Sequence, residues 1–270
     1  MTDTNRGTAF RALHQKGNPF ILANAWDIGS AKMLAALGAE AIATSSAAHA
    51  FTLGRPDMGQ VTRDEALAHA QDLVAAVNVP VSGDFENGFG DDPDTCAETV
   101  KLAYEAGLAG ISIEDTALPD AKPYARDKAI ERIRAASAAA RALPGDFVLV
   151  ARADGVMNEQ YNLSEAMARL TGYEKAGADC LYIPLPGTIK DQAAICAVTD
   201  LPVNALAAGP FTQHSREDFA KAGVARISLG SALARTTHRV IFDAAKGMFE
   251  DGDFSLLGKS ISGDKIDALL

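Results

Sequence analysis

Cysteine is scarce: Cys96, Cys180 and Cys196 are the three thiols in 270 residues. They are too few and too scattered for a disulfide framework or a thiolate zinc site, and they fit a reducing cytosol. No lysine- or arginine-rich run appears, and 35 acidic residues outnumber 25 basic ones for a net charge of -10. That balance disfavours nucleic acid or an anionic membrane as the main partner, since both carry negative charge. No stretch reaches the roughly 18–20 apolar residues that span a bilayer, and residues 1–20 lack a basic start followed by an apolar run. A cytoplasmic protein is expected. A G-x-S-x-G elbow and a phosphate-binding loop are also missing, and Gly88-Phe89-Gly90 lacks a nucleotide-binding context.

What is there is an ordinary globular composition, 48% hydrophobic and 22% charged, ample for a core. Eight short apolar runs, at residues 20–26, 39–46, 79–86, 110–115, 147–154, 179–186, 202–208 and 226–231, alternate with Ala-rich amphipathic segments. This is the pattern of parallel βα units. An open doubly wound sheet could hold eight strands, but the count, the length and the lack of a long insertion favour a closed α/β (β/α)8 TIM barrel over residues 1–251. Residues 252–270, with Gly252, Gly258 and Gly263 and no strand pattern, read as a tail of the same domain.

Punctuation supports the barrel. Leu37-Gly38, Ala106-Gly107, Ala176-Gly177 and Ala222-Gly223 precede the even-numbered runs, each closing a helix, whereas Pro19, Pro80, Pro144 and Pro202 mark the odd-numbered ones. The alternation is a weak repeat of two βα units. Helix starts are expected at Thr62-x-x-Glu65, Thr95-x-x-Glu98, Asn162 with Ser164-Glu165, and Ser215-x-x-Asp218.

In such a barrel the chemistry lies at the C-terminal ends of the strands. The polar residues there are Asp27, Ser45, Ser46, Asp84, Glu86, Asn87, Glu114, Asp115, Arg152, Asp154, Asn204 and Ser231. Strand alternation puts Asp84 and Glu86 on one side with Phe85 opposite, and Glu114 on the neighbouring strand points inward beside them. Three converging carboxylates need compensation. They either pair with arginines and cap helices or hold a hard cation, Mg2+ or Mn2+, that keeps waters and admits a substrate. Arg152, in the apolar stretch Val150-Ala151-Arg152-Ala153-Asp154, is either a bidentate clamp for a substrate carboxylate or phosphonate, or a salt-bridge partner of Asp154 or Glu114. Ser45, Ser46 and Ala47 leave backbone N–H groups accessible as an anion cradle. No strand run holds a lysine, which argues against Schiff-base chemistry. His49 either shuttles protons or is structural; His14, His69, His214 and His238 read as surface or helix residues, and Cys180 opens its strand at the wrong end for catalysis.

These residues together resemble the isocitrate lyase/phosphoenolpyruvate mutase superfamily. The likeness runs through Ala25-Trp26-Asp27, Thr44-Ser45-Ser46-Ala47, Gly54-Arg55-Pro56-Asp57, Asp84-Phe85-Glu86-Asn87-Gly88-Phe89-Gly90, Ile113-Glu114-Asp115, Ala151-Arg152-Ala153-Asp154 and Val203-Asn204. It implies a (β/α)8 barrel with a C-terminal helix swapped in a homodimer or homotetramer, acting on a Mg2+-held 2-oxo acid or its enolate. By the same likeness Asp84 is the closest metal carboxylate, while Asp57, Glu86 and Glu114 hold metal-bound waters. Ser45 and Ala47 donate to the substrate carboxylate, with Trp26, Ser46 and Asn204 also lining the substrate, and Arg152 holds its other end.

Departures shape the expected reaction. Family lyases that cleave isocitrate or methylisocitrate carry a Lys-Lys-Cys-Gly-His-type loop after the fourth strand, where this chain has Thr116-Ala117-Leu118-Pro119-Asp120-Ala121-Lys122-Pro123-Tyr124. They also carry a glutamate where Ile183-Pro184-Leu185-Pro186 stands here, and Glu86 replaces a more common aspartate. The expectation is therefore Mg2+-dependent carbon–carbon cleavage of a small 2-oxo or 2-hydroxy dicarboxylate through a pyruvate-like enolate, oxaloacetate decarboxylation above all, which needs no acid cysteine. Tyr124 and Lys122 are either proton donors on a closing loop or solvated surface residues. Phosphorus–carbon chemistry on phosphonopyruvate is the alternative, disfavoured by the lack of a clear second cationic clamp. A barrel that binds a 2-oxo acid without turnover is the third reading.

Overall fold

The computed structural model describes residues 3–270. The elements follow in the order α1 (Asp3–Leu13), β1 (Phe20–Asn24), α2 (Ile28–Ala36), β2 (Ala41–Ala43), α3 (Ser46–Thr52), α4 (Arg63–Ala76), β3 (Val81–Asp84), α5 (Pro93–Glu105), β4 (Gly110–Glu114), β5 (Thr116–Ala117) and β6 (Lys122–Pro123). They continue with α6 (Arg126–Arg141), β7 (Val148–Arg152), α7 (Leu163–Ala176), β8 (Cys180–Tyr182), α8 (Ile189–Ala197), β9 (Val203–Leu206), α9 (Arg216–Lys221), β10 (Arg226–Ser228), α10 (Ala232–Lys246) and α11 (Gly263–Asp267). Eight parallel strands close a barrel in the order β1-β2-β3-β4-β7-β8-β9-β10, and β10 pairs with β1. Each barrel strand falls inside one of the expected runs. The remaining two, β5 and β6, form an antiparallel hairpin directly after Glu114, where a plain loop was expected.

Local signals explain most boundaries. Gly38, Gly107, Gly177 and Gly223 all have positive φ, at 101°, 86°, 96° and 83°, the left-handed step that stops a helix before the next strand. Thr62 and Ser215 form reciprocal capping boxes with Glu65 and Asp218, and Asn162 caps α7. Thr95 does not open α5: Asp92 is the cap and accepts from both the Thr95 N–H (2.9 Å) and hydroxyl (2.7 Å). The Thr-x-x-Glu spacing misplaced that start because an aspartate before Pro93 already satisfies the free N–H groups.

Two apolar layers hold the barrel. Outward residues such as Ile111, Ile113, Leu149, Leu181, Ala205 and Ile227 pack under the helices. Inside, Phe20, Leu22, Ala41, Val148, Val150 and Cys180 fill the lower half with Phe10 from α1. Burying Phe10 alone contributes about 1.5–3 kcal/mol. Above that apolar plug the interior turns polar. Glu114, Arg152, Tyr182, Asn204 and Arg226 are successive register partners across β4, β7, β8, β9 and β10, so all five face the axis.

Opposite in character is the C-terminal face. Val240, Ile241 and Phe242 on α10 are 62%, 63% and 63% exposed, and Phe249 is 85% exposed. No helix among the described residues is long and apolar enough to cross a membrane.

Candidate active site

A cavity of about 190 Å³ opens among the C-terminal strand ends and reaches down the axis. It is smaller than the roughly 300–1,000 Å³ of drug-sized sites, so its ligand is small. Asp57, Asp84, Arg152, Ser45, Ser46 and Ala47 line it, and so do Asn24, Ser112, Tyr182 and Arg226.

β3 delivers Asp84 and then ends. Its backbone N–H donates to Thr44 Oγ1 (2.7 Å), and its Oδ2 accepts from the N–H (3.0 Å) and hydroxyl (2.9 Å) of Ser46 at the start of α3. Glu86 reaches the rim by a different route from the one strand alternation suggests. The strand stops at Asp84, and Glu86 sits in a turn with φ of 45°. Phe85 does pack outward, fully buried. Glu86 Oε1 accepts from the Gly59 N–H at 2.9 Å, which ties the turn to the segment that carries Asp57. A left-handed glutamate is strained, and the neighbouring segment repeats the feature at Met58, with φ of 73°.

Arg152 is the hub. Its guanidinium lies 2.7 Å from Asp84, 2.6 Å from Asp154 and 3.2 Å from Glu114, and it stacks over Tyr182 at 5.3 Å. Of the two readings open for Arg152, the salt-bridged one is what this structure holds. Five carboxyls, Asp57, Asp84, Glu86, Glu114 and Asp154, thus share the surroundings of one guanidinium. The imbalance registers in their protonation. Burial first, then Asp84 and Asp57, push Glu86 up to about 7 despite the Gly59 N–H bond. Burial and Asp154 hold Glu114 well above the usual carboxylate range, and loss of hydration raises Asp154. Asp57, at the lip of the cavity, is raised by the same loss and by Asp84. Burial works against the Arg152 charge, but Asp154, Glu114 and Asp84 prevail and keep it firmly protonated.

This donor set fits a divalent cation of one kind. Among the described residues no three acidic, histidine or cysteine side chains converge to enclose an ion. Two carboxylates, Asp57 and Asp84, line the cavity, and the acids around them outnumber the one guanidinium they share. Mg2+ suits this arrangement, since it takes one or two carboxylates and keeps several waters.

The remaining expected residues separate into three groups. Asn204 is fully buried behind the cavity wall, where it donates to Ser228 Oγ (2.8 Å) and accepts from Arg226 Nε (2.9 Å). Trp26 stands beside β1 outside the lining, its carbonyl meeting His69 Nε2 at 3.0 Å. Lys122 and Tyr124 are not brought to the cavity. Lys122 is exposed on β6. Tyr124, neither solvated nor free to donate, is buried: its hydroxyl donates to Asp91 (2.6 Å) and accepts from Asn87 (3.0 Å), under the Arg132 guanidinium at 4.1 Å. Burial and Asp91 push its phenol far up. Two strand-end acids also prove structural. Asp27 caps α2 through the Ser30 N–H (2.6 Å), and Asp115 accepts from Arg169 (2.9 Å), Tyr161 (2.6 Å) and Tyr173 (3.2 Å).

Asn24, Ser112, Tyr182 and Arg226 line the cavity but were absent from the expected set, and two of them stand out. Asn24, at the end of β1, accepts from the N–H groups of Leu229 (2.8 Å) and Gly230 (2.9 Å) and donates to the Thr44 carbonyl (2.7 Å), so it spans the rim from β10 to β2. Arg226 opens its strand rather than closing it, and a search of strand ends passes over it. Its signal was a guanidinium inside Val224-Ala225-Arg226-Ile227, the same anomaly that marks Arg152.

The phosphoenolpyruvate phosphomutase family model matches residues 10–249. The oxaloacetate decarboxylase of Rhodopseudomonas palustris strain BisB18 is 31% identical over 256 residues, covering 91% of this chain and 86% of that protein. An uncharacterized protein of Mycobacterium tuberculosis is 33% identical over 226 residues, covering 83% of this chain and 82% of its own. The crystal structure of a candidate lyase/mutase from Burkholderia cenocepacia J2315 matches with a TM-score of 0.94 at 44% identity over 98% of this chain and 95% of that one.

Proposed function

Because the chain belongs to the phosphoenolpyruvate mutase/isocitrate lyase superfamily, we propose that it is a Mg2+-dependent lyase that breaks a carbon–carbon bond of a small 2-oxo or 2-hydroxy dicarboxylate, with oxaloacetate decarboxylation as the leading reaction. The observation that carries this reading is the excess of carboxyls around Arg152 in a cavity sized for a small acid. Asp84 would hold the cation directly, with Asp57, Glu86 and Glu114 holding it through intervening waters. Bound there, Mg2+ supplies Lewis-acid stabilisation of negative charge on the 2-oxo group.

The protein's own part is positioning and charge. Ser45, Ser46 and Ala47, at the first turn of α3, present donors to one carboxylate of the substrate. Asp84 accepts from Arg152 Nη1; with Asp84 engaged in holding the cation, that face of the guanidinium would be free to bind the substrate. Scission of the bond between C3 and C4 of oxaloacetate releases CO2 and leaves the electron pair as a pyruvate enolate. A proton at C3 then completes pyruvate. Lys122 and Tyr124 stand away from the cavity, so that proton comes from solvent at the open mouth.

A second reading is favoured by one observation. Arg226 gives the cavity a second guanidinium, the group whose apparent lack disfavoured phosphorus–carbon chemistry, so phosphonopyruvate belongs in the same assay. The protein is further proposed to act as a cytoplasmic homodimer or homotetramer, its C-terminal helix exchanged between subunits across the apolar face of α10.

Purified protein with Mg2+ and oxaloacetate should release pyruvate above the metal-only background, and Asp84→Ala should reduce the rate by roughly 100-fold or more. Phosphate release from phosphonopyruvate with no pyruvate from oxaloacetate transfers the assignment to the second reading. Tight 2-oxo acid binding with turnover of neither transfers it to a binding barrel.

A further inference from the structure

Arg226 is 3% exposed, deep in the barrel. The other deeply buried arginines are spoken for. Arg132 donates to the backbone carbonyls of Asn87, Gly90 and Glu114; Arg169 pairs with Asp115 and Glu165; Arg152 pairs with three carboxylates. Arg226 makes no ion pair among the described residues. Its Nε donates to Asn204 Oδ1 at 2.9 Å, and its Nη1 has no partner among the described residues. The side chain nevertheless lines the cavity. A guanidinium stays charged even when burial lowers its proton affinity, as it does here. A buried charge without a counter-ion is unfavourable unless something binds it.

Arg226 shares the inward belt with Arg152, three strands further round the wall, about 14 Å along the sheet at the usual strand spacing. Both guanidiniums face one small space, with the Tyr182 ring between their strands, but Arg152 has carboxylate partners and Arg226 has none among the described residues. An anion with an acidic group at each end reaches both and supplies the counter-ion that Arg226 lacks.

We propose that Arg226 is a second anion subsite on the cavity floor, which takes the distal acidic group of a small diacid whose other end is held at the Arg152 rim. The inference rests on the dicarboxylate reading and adds to it the residue that seats the second acidic group. Asn204 is a positioning residue in this scheme: its Oδ1 fixes Nε and turns the free edge of the guanidinium to the cavity.

The test compares wild type with Arg226→Met, which keeps the bulk and removes the charge, and with Asn204→Asp, which gives Arg226 a carboxylate of its own. Calorimetric titration in Mg2+ uses L-malate and L-lactate, a pair that differs by the second carboxylate. Both variants should bind L-malate about tenfold or more weaker while L-lactate affinity stays within about twofold. In the absence of Mg2+, inorganic phosphate should raise the Tm of wild type and not that of either variant. Equal loss for both acids, or no loss for either, overturns the subsite. So does a phosphate effect that survives in the variants or is missing from wild type. Should Arg226→Met fail to fold, Asn204→Asp and the phosphate titration decide alone. The two readings fail separately: absence of pyruvate release from oxaloacetate removes the lyase, whereas the phosphate-dependent Tm of wild type against the variants judges the subsite by itself.

Discussion

Arg152 Nη1 lies 2.7 Å from Asp84 Oδ1, so the guanidinium of the rim sits on the carboxylate proposed to hold the divalent ion. On that proposal, binding of metal and release of Arg152 would be one exchange. The same exchange would open the ion-pair network to a substrate and make the site's occupancy depend on the protonation of the acids around it.

The first prediction concerns pH and magnesium. Glu86 holds its proton up to about 7 in the folded chain, against a usual value of 4.5. Its contribution to stability is fully present below 4.5 and is lost as pH rises through 7. Glu114, Asp57 and Asp154 are shifted in the same direction. Without metal, Tm should fall as pH rises across this window, and Glu86→Gln should flatten the fall. Added Mg2+ favours the ionised acids, so its gain in Tm should be larger at pH 8 than at pH 6. Scanning calorimetry at both pH values checks it, and an equal gain removes Glu86 from the cation's surroundings.

Asp115 gives a prediction of stability without chemistry. It is buried and gathers Arg169, Tyr161, Tyr173 and the Asp154 N–H around two oxygens. Asp115→Asn removes the charge and strands Arg169, which should cost about 3–5 kcal/mol. Urea unfolding measures this, and a loss within error of zero would show that Glu165 suffices for Arg169.

His14 sets acid lability. Its ring lies edge-on to Phe10 and Phe20, with Nδ1 on the Phe10 carbonyl and no partner for Nε2 among the described residues. Burial, followed by the nearby Arg226 charge, lowers its pKa from 6.5 to about 3. The unfolded chain takes up that proton first, so stability present above 6.5 is lost as pH falls toward 3. His14→Gln should lessen the drop in Tm across that range and leave the Mg2+ response unchanged.

The apolar face of α10 predicts assembly. Val240, Ile241 and Phe242 stand out together, with Phe249 beyond them, and patches of this sort mark interaction sites. Light scattering should return two or four times 28.2 kDa. Phe242→Ser with Phe249→Ser should shift the mass toward the monomer, and a wild-type monomer at assay concentration removes the exchange.

Strand number, order and the carboxylate rim were legible because each depends on local pattern: apolar runs, glycines at helix ends, acids where strands stop. Asp84 and Arg152 belong to that class. Glu86 was expected at the rim from alternation alone, which says nothing of the turn that begins one residue earlier. Tyr124 and Lys122 could not be placed, because the β5–β6 hairpin depends on pairing across residues 116–123, and Tyr124 owes its burial to Arg132 and Asp91 on other elements. Arg226 was hidden by position. It stands at the start of its strand, and the register that links it through Asn204 and Tyr182 to Arg152 exists only once the barrel closes.

Trp26 is the chain's one tryptophan, partly exposed and two residues past Asn24 on the cavity wall. All indole emission from this polypeptide therefore originates beside the mouth of the cylinder. A fluorimeter trained on it watches that one place, with no background from elsewhere to subtract.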